Sequence, residues 1–123
     1  MKLASLDEAI SDYERLTGED FDIMDPTYTP IVLPSNEFML VRVGERQGRK
    51  WLEIGQMYGY SKSFAPIVRQ LCENIGTTTV VTMTQRDPKA HIRKWGMVHR
   101  EELDYTHKGR RYHVLEGHIN NYR

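Results

Sequence analysis

Residues 50–84 read KWLEIGQMYGYSKSFAPIVRQLCENIGTTTVVTMT, and the succession of patterns in them decides the fold. Lys50–Tyr58 reads as a strand. After Gly59 the apolar residues change to helical spacing, with Phe64, Ile67, Val68, Leu71 and Ile75 along one face and Gly76 closing the element. Pro66 fits such a helix only in its first turn. Thr77–Thr84 follows as a buried strand. Strand, loop, helix, strand is the crossover unit of a partly parallel sheet, and such crossovers are right-handed.

Working outward from this unit, Phe38–Val43 pairs with Lys50–Tyr58 as an antiparallel hairpin across Gly44–Gly48. Upstream, Ser-Leu-Asp-Glu at 5–8 is a capping box, and Leu6, Ala9, Ile10, Tyr13 and Leu16 recur at helical spacing until Gly18. The sequence thus predicts a helix over Ser5–Leu16. Between them, Glu19–Asn36 holds four acids and three prolines and reads as irregular, with a short strand at Ile31–Leu33. Downstream, Asp87-Pro88 opens a helix that Gly96 ends, with Ala90, Ile92 and Trp95 as its expected buried residues. Met97–Tyr105 and Arg110–Glu116 close the chain as a hairpin turning at Lys108-Gly109, with Tyr112 and Val114 on one side and His113 and Leu115 on the other. The expectation is one α/β domain over residues 1–123, a mixed sheet flanked by helices.

Composition agrees with a globular chain: 39% apolar and 28% charged residues, with 17 basic against 17 acidic. No run approaches the ~18 apolar residues of a membrane span, and Met1–Ile10 has no secretory apolar core. These features predict a soluble, cytoplasmic protein without membrane contact. Cys72 is the only cysteine, which excludes an internal disulfide. Charge is unevenly spread: residues 1–60 hold 6 Lys/Arg against 11 Asp/Glu, and residues 61–123 hold 11 against 6. A basic half attracts anions, though ordinary domains also show such polarity. The five histidines, 91, 99, 107, 113 and 118, have no His-x-x-x-His spacing on a helix, so they read as scattered surface residues with no metal site. A serine hydrolase is set aside because no Gly-x-Ser-x-Gly elbow is present.

Gln56-Met57-Tyr58-Gly59-Tyr60-Ser61 resembles the loop of the GNAT acyltransferase family, Gln or Arg, two residues, Gly, one residue, then Gly or Ala. Ser61 departs from it at the last position. Such a loop aims successive backbone N–H groups at a pyrophosphate beside a helix N-terminus. The order of elements after it, ending in Lys94-Trp95-Gly96-Met97, is also similar to the family core, over about Phe38–Glu116. The resemblance implies a V-shaped splay in the sheet and acetyl-CoA as cosubstrate, bound by Gln56, Met57, Tyr58, Gly59, Tyr60, Ser61 and Lys62. It implies an amine acceptor, and Ile92 falls where the family has a tyrosine that protonates the departing thiolate. Lys62 and Arg93 are candidate phosphate contacts, their alternative being solvated basic side chains.

Acyl transfer also needs a base for the amine and a donor for the carbonyl oxygen. Glu53, three residues before Gln56, is the catalytic candidate; its alternative is a strand carboxylate paired with Lys50 or Arg42. A strand N–H near Met57 or Tyr58, held open by a bulge or splay, is the oxyanion donor. Tyr58 and Tyr60 either line the groove or pack on the sheet.

His91-Ile92-Arg93 and the terminal hairpin are similar to small GNAT-like proteins of short-tailed bacteriophages, which implies the alternative of a catalytically silent structural or internal virion protein. In that reading Arg100, Lys108, Arg110, Arg111 and Arg123 form a basic edge, with Arg110 and Arg111 contacting nucleic acid. The terminal edge strand is then also a surface for a protein partner or a homo-oligomer, and basic residues there equally protect an edge from aggregation.

Overall fold

The computed structural model describes residues 5–21, 27–59 and 61–121. Helix α1 covers Leu6–Thr17, and strands β1 (Thr29–Val32), β2 (Phe38–Arg46) and β3 (Arg49–Tyr58) follow. Helix α2 is Ser61–Ile75, β4 Thr79–Thr84, and α3 Lys89–Trp95. Short strands β5 (Val98–His99) and β6 (Tyr105–His107) precede β7 (Arg110–His118). The strands form one seven-stranded mixed sheet in the order β1-β2-β3-β4-β7-β5, with β6 also paired to β7. Among the described residues only β3 and β4 run parallel. Helix α2 makes the crossover between them, as the 50–84 pattern requires.

The pleat assigns the two faces. Phe38 and Met39 are neighbours on β2 and therefore point to opposite sides. Met39 and Val41 join Leu52, Ile54, Val80 and Leu115 beneath α2, whose Phe64, Ala65, Val68 and Cys72 are buried against them. Each large apolar side chain so buried contributes about 1.5–3 kcal/mol of transfer free energy. Burial also pushes the Cys72 thiol up from its ordinary range. Phe38 faces the other way, stacks with Tyr58 and meets Ala9 and Tyr13 of α1. Helix α1 is capped as its sequence dictates: the Ser5 hydroxyl accepts from the Glu8 N–H at 3.1 Å, and Gly18 ends it in the left-handed conformation.

Several expectations are corrected. Pro66 lies in the second turn of α2, on its exposed side, and not in the first. The β2–β3 loop is tighter than Gly44–Gly48, because Gln47 and Gly48 both take positive φ (54° and 77°) and close a two-residue hairpin. Strand β1 is Thr29–Val32, and Leu33 belongs to the turn into β2, donating its N–H to the Glu37 carbonyl at 2.8 Å. The Met97–Tyr105 strand is broken into β5 and β6 by the turn at Glu101–Leu103. Ala90 and Ile92 are exposed, Ile92 at 39%; of the three residues expected to be buried on α3, only Trp95 is. A seven-residue helix lying over a strand end buries only a narrow stripe.

Gly44 sits inside β2 directly opposite Trp51, and a Cβ there would lie 2.0 Å from the indole Nε1. Gly44→Ala should therefore displace the Trp51 ring and cost about 1–3 kcal/mol, the usual penalty for overfilling a packed site. Denaturation midpoints and Trp51 fluorescence in a Trp95→Phe background check this; an unmoved midpoint and spectrum would show that the ring yields freely.

Candidate functional site: the cleft between parted strands

Strands β3 and β4 pair only over Leu52–Ile54 and Val80–Thr82. The Thr82 hydroxyl donates to the Ile54 carbonyl at 3.0 Å at the last shared rung. Beyond it the strands separate, β3 continuing to Tyr58 and β4 to Thr84. The β2–β3 register shows a second irregularity at the same level. Met39 pairs with Met57 and Val41 with Ile54, so Gly55 and Gln56 together oppose Leu40 alone. Such a bulge bends a strand and increases its twist.

The opening holds a cleft of about 750 Å³ walled by α1, the parted ends of β3 and β4, and α3. Its walls are tied together at one end by polar contacts. Glu19 accepts from the Tyr13 hydroxyl (2.6 Å), the Tyr112 hydroxyl (2.7 Å) and Gln85 Nε2 (2.8 Å). Burial, then this carboxylate, pushes the Tyr112 phenol up to about 12, and Tyr13 is raised in the same way. Arg110 donates to the Thr17 and Gly18 carbonyls at 3.1 and 2.5 Å, at the negative end of α1.

Of the residues picked out from sequence, Met57, Tyr58 and Gly59 line this cleft. The Tyr58 hydroxyl donates to Asp12 at 2.6 Å, which pushes the phenol up to about 12, with burial adding to it. Gln56 Nε2 donates to the Asp20 carbonyl at 2.9 Å. Lys62 is exposed in the first turn of α2, Ser61 is the first residue of that helix, and Tyr60 lies outside the described residues. Glu53 is placed elsewhere. It accepts from the Tyr28 hydroxyl at 2.8 Å and pairs with Arg42 Nε, in a separate cleft over the sheet that Trp51, Val81 and Tyr105 also line. Arg111 is mostly exposed.

The cleft residue that sequence reading passed over is His91. It is half-buried on α3, and its buried Nδ1 has no hydrogen-bond partner among the described residues. Burial, then Lys94 and Arg86, lowers its pKa below 6.5. His91, Lys94 and Trp95, spaced i, i+3, i+4, form the face of α3 that lines the cleft, while Ile92 points away from it. A seven-residue helix has too few apolar positions to show from sequence which side it buries, and Ile92, expected to be buried, lies on the exposed side. Two other histidines depart from the expected scatter: His99 and His113 converge on Asp104, because the β5–β7 register sets His99 opposite Leu115.

Gly59 has φ +124°, and a Cβ on it would lie 2.2 Å from Glu37 Oε2, a carboxylate buried against the turn. Gly59→Ala should cost more than the about 1–3 kcal/mol of backbone strain alone. Gly48→Ala, where φ is +77° and nothing lies within 4 Å, serves as the control. Equal losses in the two variants would remove the Glu37 contact from the account.

No family model matches this sequence, and no curated protein is similar to it. Among solved structures the chain is similar to FeeM, an N-acyl amino acid synthase from uncultured soil microbes, with a TM-score of 0.69 over 96% of this chain and 91% of that one. Sequence identity between them is 9%, so the likeness is one of fold. The seven-stranded mixed sheet, its helices and the splay between β3 and β4 together constitute a GNAT-like α/β fold.

Proposed function

We propose that the protein is an N-acyltransferase that moves an acyl group from acyl-CoA to an amine within the β3–β4 cleft. The observation that carries this reading is the half-buried His91 lining a cleft opened by parted parallel strands, its buried Nδ1 without a hydrogen-bond partner among the described residues. FeeM, whose fold this chain shares, is an N-acyl amino acid synthase, the same class of reaction, and an amino acid is the first acceptor to test. Acetyl-CoA is the proposed donor, its pyrophosphate at the Gly59 turn and the α2 N-terminus and its thioester arm along the cleft.

In the reaction the amine nitrogen attacks the thioester carbonyl carbon, the C–N bond forms and the C–S bond breaks. The proton lost by nitrogen passes to His91 and from there to the departing thiolate. His91 suits this role because burial, Lys94 and Arg86 keep it neutral at pH 7, and Asp12 and Glu19 are the acids among the cleft-lining residues. Main-chain N–H groups along the bulged stretch of β3 supply the carbonyl oxygen's donors. Glu53, held by Tyr28 and Arg42, orders the strand below the bulge.

A specific observation favours a second reading. The buried Glu37 carboxylate sets negative charge against the Gly59 turn, where a pyrophosphate would bind. In that reading the fold is retained as a silent structural or interaction protein, with a basic surface that includes Arg111.

The deciding assay is thiol release from acetyl-CoA in the presence of a panel of amino acids and simple amines. Turnover is expected, with His91→Ala lowering kcat by about 100-fold or more and leaving the KM for acetyl-CoA little changed. The acid limb of the wild-type rate profile should lie below pH 6.5. Absence of both turnover and acetyl-CoA binding would support the silent reading. A separate outcome concerns stability. Because the folded state lowers the His91 pKa, the unfolded chain binds more protons, so stability falls as pH drops below about 6.5. His91→Gln should flatten that slope in denaturation series from pH 7 to 5.

A further inference from the structure

Away from the cleft, β7 gathers a second set of chemically capable side chains. Asp104 lies between the Glu101–Leu103 turn and β6, and only 4% of its side chain is exposed. Its Oδ1 accepts from the Val114 main-chain N–H at 2.9 Å, which fixes the carboxylate's orientation. His99 Nε2 lies 3.0 and 2.9 Å from the two carboxylate oxygens, and His113 Nδ1 lies 3.0 Å from Oδ2. The two imidazoles meet edge to face, 5.1 Å between centres, and their side chains are 17% and 27% exposed. One ligand atom from each of the three residues falls within 4.8 Å of the others.

These distances lie near those of a coordination shell. A tetrahedral zinc site with bonds of about 2.0–2.1 Å has ligand–ligand edges of about 3.3–3.4 Å. Parting the imidazole nitrogens from the carboxylate by a few tenths of an ångström, with the rings turned toward one another, would make room for an ion. Two neutral imidazoles and one carboxylate suit a divalent ion of borderline softness, and the carboxylate is held by a main-chain donor, as ligating carboxylates commonly are. Arg111 Nη2 stands 3.9 Å from Oδ2, but its side chain is 59% exposed and can swing into water without stranding a buried charge.

We propose that His99, Asp104 and His113 form a binding site for Zn²⁺, with water as the fourth ligand, which fastens β5 and the Asp104 turn to β7. The site is independent of acyl transfer. Ion binding changes the tautomers: the nitrogens that now donate to Asp104 must offer lone pairs, so the ring protons move to His99 Nδ1 and His113 Nε2.

The test titrates Zn²⁺ into the full chain by calorimetry and follows Co²⁺ by visible absorption. One saturable equivalent is expected, with intense tetrahedral Co²⁺ bands and a shift of the ¹⁵N resonances of both imidazoles. His99→Gln and His113→Gln retain an N–H donor for Asp104 while removing the ligand, and each should weaken binding by about tenfold or more, comparable to the loss of a ligand-supporting group. No saturable binding to the wild-type chain, or affinity unchanged in both variants, would overturn the site. If a variant fails to fold by circular dichroism, the wild-type Co²⁺ spectrum decides, since octahedral or absent bands refute a tetrahedral His–His–Asp shell.

Discussion

Everything in this molecule depends on a parallel pairing that lasts three residues. Leu52, Glu53 and Ile54 bond to Val80, Val81 and Thr82, and then the strands part. The Gly55–Gln56 bulge re-aims β3, and the short β4 ends in the Gln85–Arg86 bend, so neither strand follows the other. A sheet opened in this way has to cover the exposed strand ends by other means. Helix α2 does so on one face with its apolar stripe, and α1 does so on the other through the Ala9, Tyr13, Phe38 and Tyr58 cluster.

The polar contacts around the cleft follow from the same constraint. With the main chain parted, side chains hold the walls in register: Tyr58 to Asp12 on one side, Glu19 to Tyr13, Tyr112 and Gln85 on the other. Arg110 locks the C-terminus of α1 to the start of β7. These are hydrogen bonds that include a charged partner, which are stronger than neutral ones and directional. They leave His91 as the polar side chain of the cleft walls whose ring nitrogen has no partner among the described residues, which is why it carries the functional reading.

Local chemistry was legible in the sequence. Ser5, Gly18, Gly76 and Gly96 mark helix ends by capping and φ preference, and the structure has them there. Gln47 was harder to read, since a non-glycine residue at φ 54° carries little propensity signal. Glu53 reads from sequence as the catalytic base, with pairing to Lys50 or Arg42 as the alternative; in the structure it meets Arg42 and Tyr28, outside the β3–β4 cleft. Neither His91 nor the His99–Asp104–His113 cluster could be seen from spacing. His91 was hidden because a seven-residue helix has too few apolar positions to declare its buried side, and the cluster because its members meet only through strand register.

The sequence by itself therefore determined most of the element order, the glycine-marked helix ends and the strand–helix–strand crossover, because periodicity, caps and glycines act over a few neighbouring residues. Tertiary structure alone decided where the strands part, which face of α3 lines the cleft, and which histidines meet. Those depend on register and on close approaches such as Gly59 to Glu37 and Gly44 to Trp51, between residues 7 to 22 positions apart that no local pattern couples.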